Sequence, residues 1–325
     1  MIISRTPYRI SFFGGGTDYP SWYEQHGGAV LSTTIDKFCY ITARYLPPFH
    51  SEKSRVVWSK IEAVKDNDDI EHNSVRACLQ HFGIKNGIEI HHTGDLPARS
   101  GLGSSSAFTV GMINALYGLT DKLANKIMLA EDAIRIERDI LRENVGIQDQ
   151  IATAYGGFNY VEINSRGKFT IAPVVTTHLQ RLQDHCLLFF TGISRTASEI
   201  ASEQIKAHVS GDKDYELRAM QQMVYPAGVA INLGDMNEIG KLLHESWNLK
   251  RSLAKNISPP VVDEIYEAGC KAGAIGGKLL GAGGGGFMLF FAPPETHDAI
   301  RKELKTLLYV PFKFENEGSQ IIYRS

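Results

Sequence analysis

The stretch Pro97-Ala98-Arg99-Ser100-Gly101-Leu102-Gly103-Ser104-Ser105-Ser106-Ala107 decides how this chain is read. Before it, Ile88-Glu89-Ile90-His91-His92 has the character of a β-strand; after it, Phe108, Met112, Ala115 and Leu116 recur at i, i+4, i+7 and i+8, the spacing of a helix. The whole reads as strand, glycine-rich loop, helix. Glycines allow a sharp turn and a close approach of backbone to a ligand, and a helix start offers unpaired N–H groups at the positive end of its dipole. An anion such as a nucleotide phosphate is the expected guest. The three serine hydroxyls can cap the helix, bond phosphate oxygens or reach a metal ion. As a bare pattern, a capped loop without a ligand stays open.

Two other phosphate motifs do not fit. A Walker loop requires Gly, four residues, then Gly-Lys-Ser/Thr; Gly277-Lys278 comes nearest but continues into Leu279 and has Ala272 at the first glycine position. The dinucleotide fingerprint fails because Ser106 stands at its third glycine. The stretch resembles instead the Pro-x-x-x-Gly-Leu-Gly-Ser-Ser-Ala motif of the GHMP kinases (galactokinase, homoserine kinase, mevalonate kinase, phosphomevalonate kinase), with Ser106 where many members have alanine. The resemblance implies that Pro97, Arg99, Ser100, Gly101, Leu102, Gly103, Ser104, Ser105 and Ser106 bind ATP.

A chain of 325 residues is long enough for two domains, and 43% hydrophobic with 22% charged residues is ordinary for a soluble globular protein. A net charge of -2 and the lack of a long basic run argue against nucleic acid as a partner. Cys39, Cys78, Cys186 and Cys270 lack zinc spacing and read as thiols of a reduced compartment. Met1-Ile2-Ile3-Ser4-Arg5 lacks the pattern of a secretory signal, and no apolar run approaches bilayer length, so a cytoplasmic location is expected.

At the amino-terminal end, Ile2 to Thr6 and Arg9 to Phe13 read as two short strands broken at Pro7, the second running into Gly14-Gly15-Gly16-Thr17-Asp18. Adjacent glycines after a strand mark a close backbone approach, with Asp18 at its edge; a flexible turn with a solvated aspartate is the alternative. Arg5-x-Pro7-x-Arg9-Ile10 with Gly14 and Asp18 is similar to the first GHMP motif. That similarity implies that Gly14, Gly15, Gly16, Thr17 and Asp18 meet the sugar and that Arg9 lies beside the phosphoryl transfer. Ala29 to Tyr45 and Arg55 to Ser59 suggest further strands of the same sheet, and Lys53 to Glu71 is mostly a polar surface connection. Val75, Cys78, Leu79 and Phe82 mark a helix ending at Gly83. His91 and His92, adjacent on a strand, point to opposite faces and read as structural.

A long helix is expected from Leu123 to Leu141, and Glu137 falls on its apolar stripe. A carboxylate there is costly unless it meets a cation or hydrogen-bond donors. An ion pair with Arg9 or Arg138 would satisfy it, and so would magnesium bound with phosphates. The family resemblance implies magnesium, with Ser105 and Glu137 as ligands. Gly146-Ile147-Gln148-Asp149-Gln150 follows; it is similar to the Gly-x-x-Asp-Gln box of galactokinase-like members, which implies Asp149 as the base toward the substrate hydroxyl.

The second glycine cluster, Lys278-Leu279-Leu280-Gly281-Ala282-Gly283-Gly284-Gly285-Gly286, leads into Phe287-Met288-Leu289-Phe290-Phe291, a strand rather than the helix of a Rossmann site. A hairpin loop against the active site is expected, and it looks like the third GHMP motif, with Gly281, Gly283 and Gly284 near the substrate. The resemblance implies an α+β fold of two domains. Residues 1–180 would form the ATP-binding domain and 181–325 a ferredoxin-like domain, with the site between them. The Gly-Gly-Gly-Thr-Asp form and Thr191-Gly192-Ile193-Ser194-Arg195 look most like the branch acting on D-glycero-D-manno-heptose 7-phosphate. The implied reaction carries the ATP γ-phosphoryl group to the anomeric hydroxyl, toward nucleotide-activated heptose for surface glycans. A galactose- or fucose-type sugar 1-kinase and a silent sugar or nucleotide sensor are the alternatives. Arg195, Lys250 and Arg251 are candidates to meet the distal phosphate. The expected partners are small molecules, with self-association left open.

Overall fold

The computed structural model describes residues 1–98, 100–193, 202, 205 and 211–325. Its strands are β1 (Ile2–Phe13), β2 (Gly28–Tyr45), β3 (Ser54–Val57), β4 (Ile61–Val64), β5 (Ile88–Gly94), β6 (Phe158–Ile163), β7 (Phe169–Pro173), β8 (Cys186–Phe190), β9 (Gly276–Leu279), β10 (Phe287–Phe291), β11 (Leu308–Tyr309), β12 (Phe314–Glu315) and β13 (Gln320–Arg324). A nine-stranded sheet runs β13-β1-β2-β5-β3-β4, with β6 and β12 on β2 and β7 on β6. Its pairs are antiparallel except β3 with β5.

Pro7 does not break the first strand. β1 runs unbroken through it, because the ladder to β2 shifts register between Pro7 and Tyr8 and β13 reaches only as far as Arg5 on the other edge. The missing N–H therefore falls where a bulge already interrupts pairing. Within the segment expected to be mostly a polar surface connection, β3 falls on the strand expected from Arg55 and belongs to the same sheet, whereas β4 is an addition. Ser54 and Asn67 are buried there, the Ser54 hydroxyl lying 2.6 Å from Asn67 Oδ1 and Asn67 Nδ2 donating to the Ile84 carbonyl at 3.0 Å. Polar residues that satisfy each other in this way are compatible with an interior position.

Behind this sheet lies the helix Ser104–Leu119, buried almost throughout its length and packed on β1 and β2. Its Gly111 carbonyl accepts from Ser4 Oγ at 2.7 Å. The expected long helix is α-helical over Lys126–Ile134 and then widens into a π-helical turn, Arg135–Ile140. Such a turn is often found at functional sites, and this one carries Glu137 at 0% exposure.

The second sheet is antiparallel in the order β11-β8-β10-β9. In chain order this is strand, helices, two strands, helix, strand, with Met236–Ser252 and Pro260–Lys271 in the first connection and His297–Glu303 in the last. That is the ferredoxin-like arrangement. The chain then returns: Phe314 pairs with Ile35 and Ile2 with Arg324, so Phe314–Arg324 belongs with the first sheet, across the expected division at 180. Among the described residues no helix is long and apolar enough to cross a membrane.

Candidate active site

Where the two parts of the chain meet, the glycine loops touch. A Cβ on Gly281, whose φ is +74°, would lie 2.4 Å from Gly101 Cα, and a Cβ on Gly101, φ +80°, would lie 2.4 Å from the Leu280 carbonyl oxygen. Only glycine fits on either side of this contact. Beside it opens a cavity of about 590 Å³, lined among others by Arg9, Asp18, Ser105, Asp149, Lys250 and Lys278.

Arg9, 3% exposed, is fixed at both ends. Its backbone N–H donates to the Leu102 carbonyl at 3.0 Å, tying β1 to the phosphate loop. Its guanidinium donates from Nε and Nη2 to the two oxygens of Asp149 at 2.7 and 2.8 Å, and from Nη1 to the Gly101 carbonyl at 2.8 Å. This forked geometry suits a carboxylate and holds it in one orientation. Asp149 stands in the first turn of the helix Gln148–Tyr155.

Asp18 is 1% exposed and accepts from Gly16 N, Gln148 N and Gln148 Nε2 at 3.1, 3.2 and 2.9 Å. Burial first, and the Asp149 charge second, push its carboxyl up to about 6. Gly15 and Gly16 line the cavity with it, whereas Gly14 and Thr17 shape the turn: Thr17 Oγ1 donates to the Gly14 carbonyl at 2.8 Å. Ser104, Ser105 and Ser106 line the cavity from the start of the helix, with Gly101 and Gly103. Pro97, Ser100 and Leu102 shape the loop without lining the cavity. Arg99 lies outside the described residues.

Glu137 meets neither arginine considered for it. Arg9 is held by Asp149, and Arg138 Nη1 donates to the Tyr23 hydroxyl at 2.7 Å. Instead Glu137 Oε2 accepts from Ser106 Oγ at 2.9 Å and from Gln150 Nε2, while Oε1 is buried with no partner at hydrogen-bond distance; the nearby Thr109 hydroxyl, which lies 3.2 Å from the Ser105 carbonyl, also favours the charged carboxyl. Burial pushes its carboxyl up to about 7. The hydroxyl next to Glu137 is thus that of Ser106, while Ser105 is exposed. A buried carboxylate with an orphaned oxygen beside a phosphate loop fits magnesium, which characteristically takes one or two carboxylates and completes its shell with phosphates and water.

Of the cations considered for a distal phosphate, Arg195 lies outside the described residues, and Arg251 sits 3.4 Å from Asp263, away from the cavity. Lys250 does line it. Gly281 lines it too, whereas Gly283 and Gly284 hold the loop, the Gly284 N–H donating to the Ile257 carbonyl at 2.8 Å. Sequence reasoning missed the part played by Gln148, whose only signal was its place beside Asp149.

The chain belongs to the GHMP kinases: the family's "GHMP kinases N terminal domain" matches residues 71–157 and "GHMP kinases C terminal" matches residues 229–310. It is an ATP-dependent sugar kinase. It is 29% identical to a D-glycero-alpha-D-manno-heptose 7-phosphate kinase of Campylobacter jejuni, over 98% of this chain and 97% of that one. It is 26% identical, over 94% of this chain and 36% of the relative, to an L-fucokinase/L-fucose-1-P guanylyltransferase of Bacteroides fragilis. In fold it is similar to a D-glycero-D-manno-heptose 1-phosphate kinase from Bacteroides thetaiotaomicron, with a TM-score of 0.80, 22% identity and full coverage of both chains.

Proposed function

We propose that this kinase phosphorylates the anomeric C1 hydroxyl of D-glycero-D-manno-heptose 7-phosphate to give the 1,7-bisphosphate. The full-length similarity to the Campylobacter jejuni enzyme supports the sugar. The observation that carries the chemistry is the forked Arg9–Asp149 pair, placed between the phosphate loop and Asp18 on the wall of one cavity.

In this reading, loop residues Gly101 to Ser106 hold the ATP phosphates with backbone N–H groups and hydroxyls. Asp18 accepts three hydrogen bonds from the protein, which leaves one of a carboxylate's roughly four lone-pair sites for a sugar hydroxyl. Asp149 takes the proton of the C1 hydroxyl as its oxygen attacks the γ-phosphorus; the bond from that phosphorus to the bridging oxygen breaks, and ADP leaves. Arg9 keeps the carboxylate aimed and faces the negative charge that gathers on the transferred group. Glu137, with Ser105 or Ser106, would hold magnesium, which supplies charge neutralisation on the β- and γ-phosphates.

The test is ADP release with a panel of acceptors: D-glycero-D-manno-heptose 7-phosphate, the unphosphorylated heptose, galactose, L-fucose and mevalonate. The heptose 7-phosphate should give the highest kcat/KM. A higher value with galactose or L-fucose refutes the substrate, and binding of ATP without ADP release from any acceptor refutes turnover.

A further inference from the structure

Two buried lysines line the catalytic cavity, and the mechanism above uses neither. Lys250, 6% exposed, comes from the helix Met236–Ser252, and Lys278, 2% exposed, from β9. Lys250 Nζ donates to the carbonyls of Leu279, at 3.2 Å, and Gly281; Lys278 Nζ donates to the Phe12 carbonyl at 3.0 Å. Among the described residues neither ammonium has a carboxylate partner. Arg142 also lines the cavity, Arg9 is already matched by Asp149, and Asp18 is held by Gly16 and Gln148.

A charged group out of water with only carbonyl acceptors is strongly disfavoured. Burial and the nearby Arg9 push Lys250 down to about 7 against the pull of Asp18, and burial with the Lys250 charge pushes Lys278 well down. An ammonium has three donors, and the carbonyls of Leu279 and Gly281 take two from Lys250. Its position is also specific. Arg9 holds the Gly101 carbonyl, Gly101 packs on Gly281, and Gly281 accepts from Lys250, so the two cations grip opposite partners of the contact between the loops.

We propose that Lys250 is a cationic contact for phosphate oxygens inside the cavity, completing with Arg9 a clamp around the junction of the two glycine loops. The proposal rests on the sugar-kinase reading of the cavity. The phosphate has two sources, the γ-phosphoryl group of ATP or the acceptor's own phosphate, and kinetics separates them.

Lys250→Met and Lys250→Arg are assayed with ATP and magnesium against heptose 7-phosphate and unphosphorylated heptose, from acid to alkaline pH. If Lys250 meets the γ-phosphoryl group, Lys250→Met lowers kcat by ~10²–10³-fold with both acceptors. If it meets the acceptor's phosphate, KM rises for the phosphorylated acceptor alone. Either result supports the clamp, and Lys250→Arg restores part of the loss. In the wild type, kcat/KM falls as pH rises through about 7, where Lys250 loses its proton, and this limb disappears in Lys250→Arg, whose guanidinium stays charged. The facing groups are Arg9, Lys278, Asp18 and Asp149; Asp18 titrates with the opposite sign, gaining activity with pH.

Near-wild-type kinetics of Lys250→Met with both acceptors overturns the proposal. If that variant does not fold, the limb decides alone, and an unchanged limb in Lys250→Arg overturns the proposal. If the acceptor panel points to another sugar, the two arms use that sugar and its phosphate, so failure of the heptose assignment is distinct from failure of the clamp.

Discussion

Replacing Asp149 by asparagine separates the chemistry of the site from its architecture. The carboxylate receives two charge-assisted bonds, at 2.7 and 2.8 Å, from an arginine whose side chain is 4% exposed, while Asp149's own is 26% exposed. Asparagine keeps one acceptor for Arg9 and loses the second bond and the charge. Losing a bond to a charged group costs ~1.5–3 kcal/mol, and leaving a buried charge with no partner costs ~3–5 kcal/mol. The retained acceptor, the Gly101 carbonyl and the solvent reaching Asp149 place this variant in the lower range. At roughly 2–4 °C per kcal/mol in a protein of this order of size, a loss of ~1.5–3 kcal/mol should lower the melting temperature by about 3–12 °C. Turnover should fall much further, by ~10²–10⁴-fold, because an amide cannot take the hydroxyl proton. ADP release well below the melting transition measures the second effect, and calorimetry the first. A folded Asp149→Asn protein with kcat within about five-fold of wild type would refute the base assignment and leave Asp149 as an anchor for Arg9.

Three further outcomes are expected. Folded Glu137 keeps its proton up to about 7, against an ordinary value of 4.5, so the folded state binds more protons between those values and the free protein loses stability as pH rises through them; Glu137→Gln should flatten this fall in melting temperature and move the magnesium titration of activity to higher concentration, and an unchanged slope and titration would contradict the reading. Ser106→Ala should disturb the magnesium titration more than Ser105→Ala, since Ser106 is the hydroxyl bonded to Glu137; the reverse order would favour Ser105 as the ligand. Gly281→Ala forces a Cβ to 2.4 Å from Gly101 Cα in a left-handed conformation that itself costs ~1–2 kcal/mol; activity should drop with the parting of the loops, and full activity would show that their contact is dispensable.

The glycine loops were legible because glycine at fixed spacing carries its own physical reason, and the structure brings Gly101 and Gly281 into contact. The helix after the phosphate loop was equally plain from its apolar spacing. Pro7 misled because its cost depends on what lies across the ladder: a register shift and the end of β13 absorb it, and neither is written in the neighbouring residues. Within residues 53–71 the strand at Arg55 was legible, but β4 and the buried polar pair were not, because composition cannot show that Ser54 and Asn67 satisfy each other away from water. Glu137 was flagged by its place on an apolar stripe, but its partners, Ser106 and Gln150, are set by helices crossing in space and by the π turn. Lys250 could be named only as one cation among several until the fold placed it in the cavity and paired Arg251 with Asp263.

Phosphorus NMR of the product formed from ATP and D-glycero-D-manno-heptose 7-phosphate tests the central claim most directly. The account predicts a second phosphate ester whose phosphorus couples to the anomeric proton at C1, formed one for one with ADP and absent with Asp149→Asn. A new phosphate on any other carbon, or ADP released with no new ester, would contradict it.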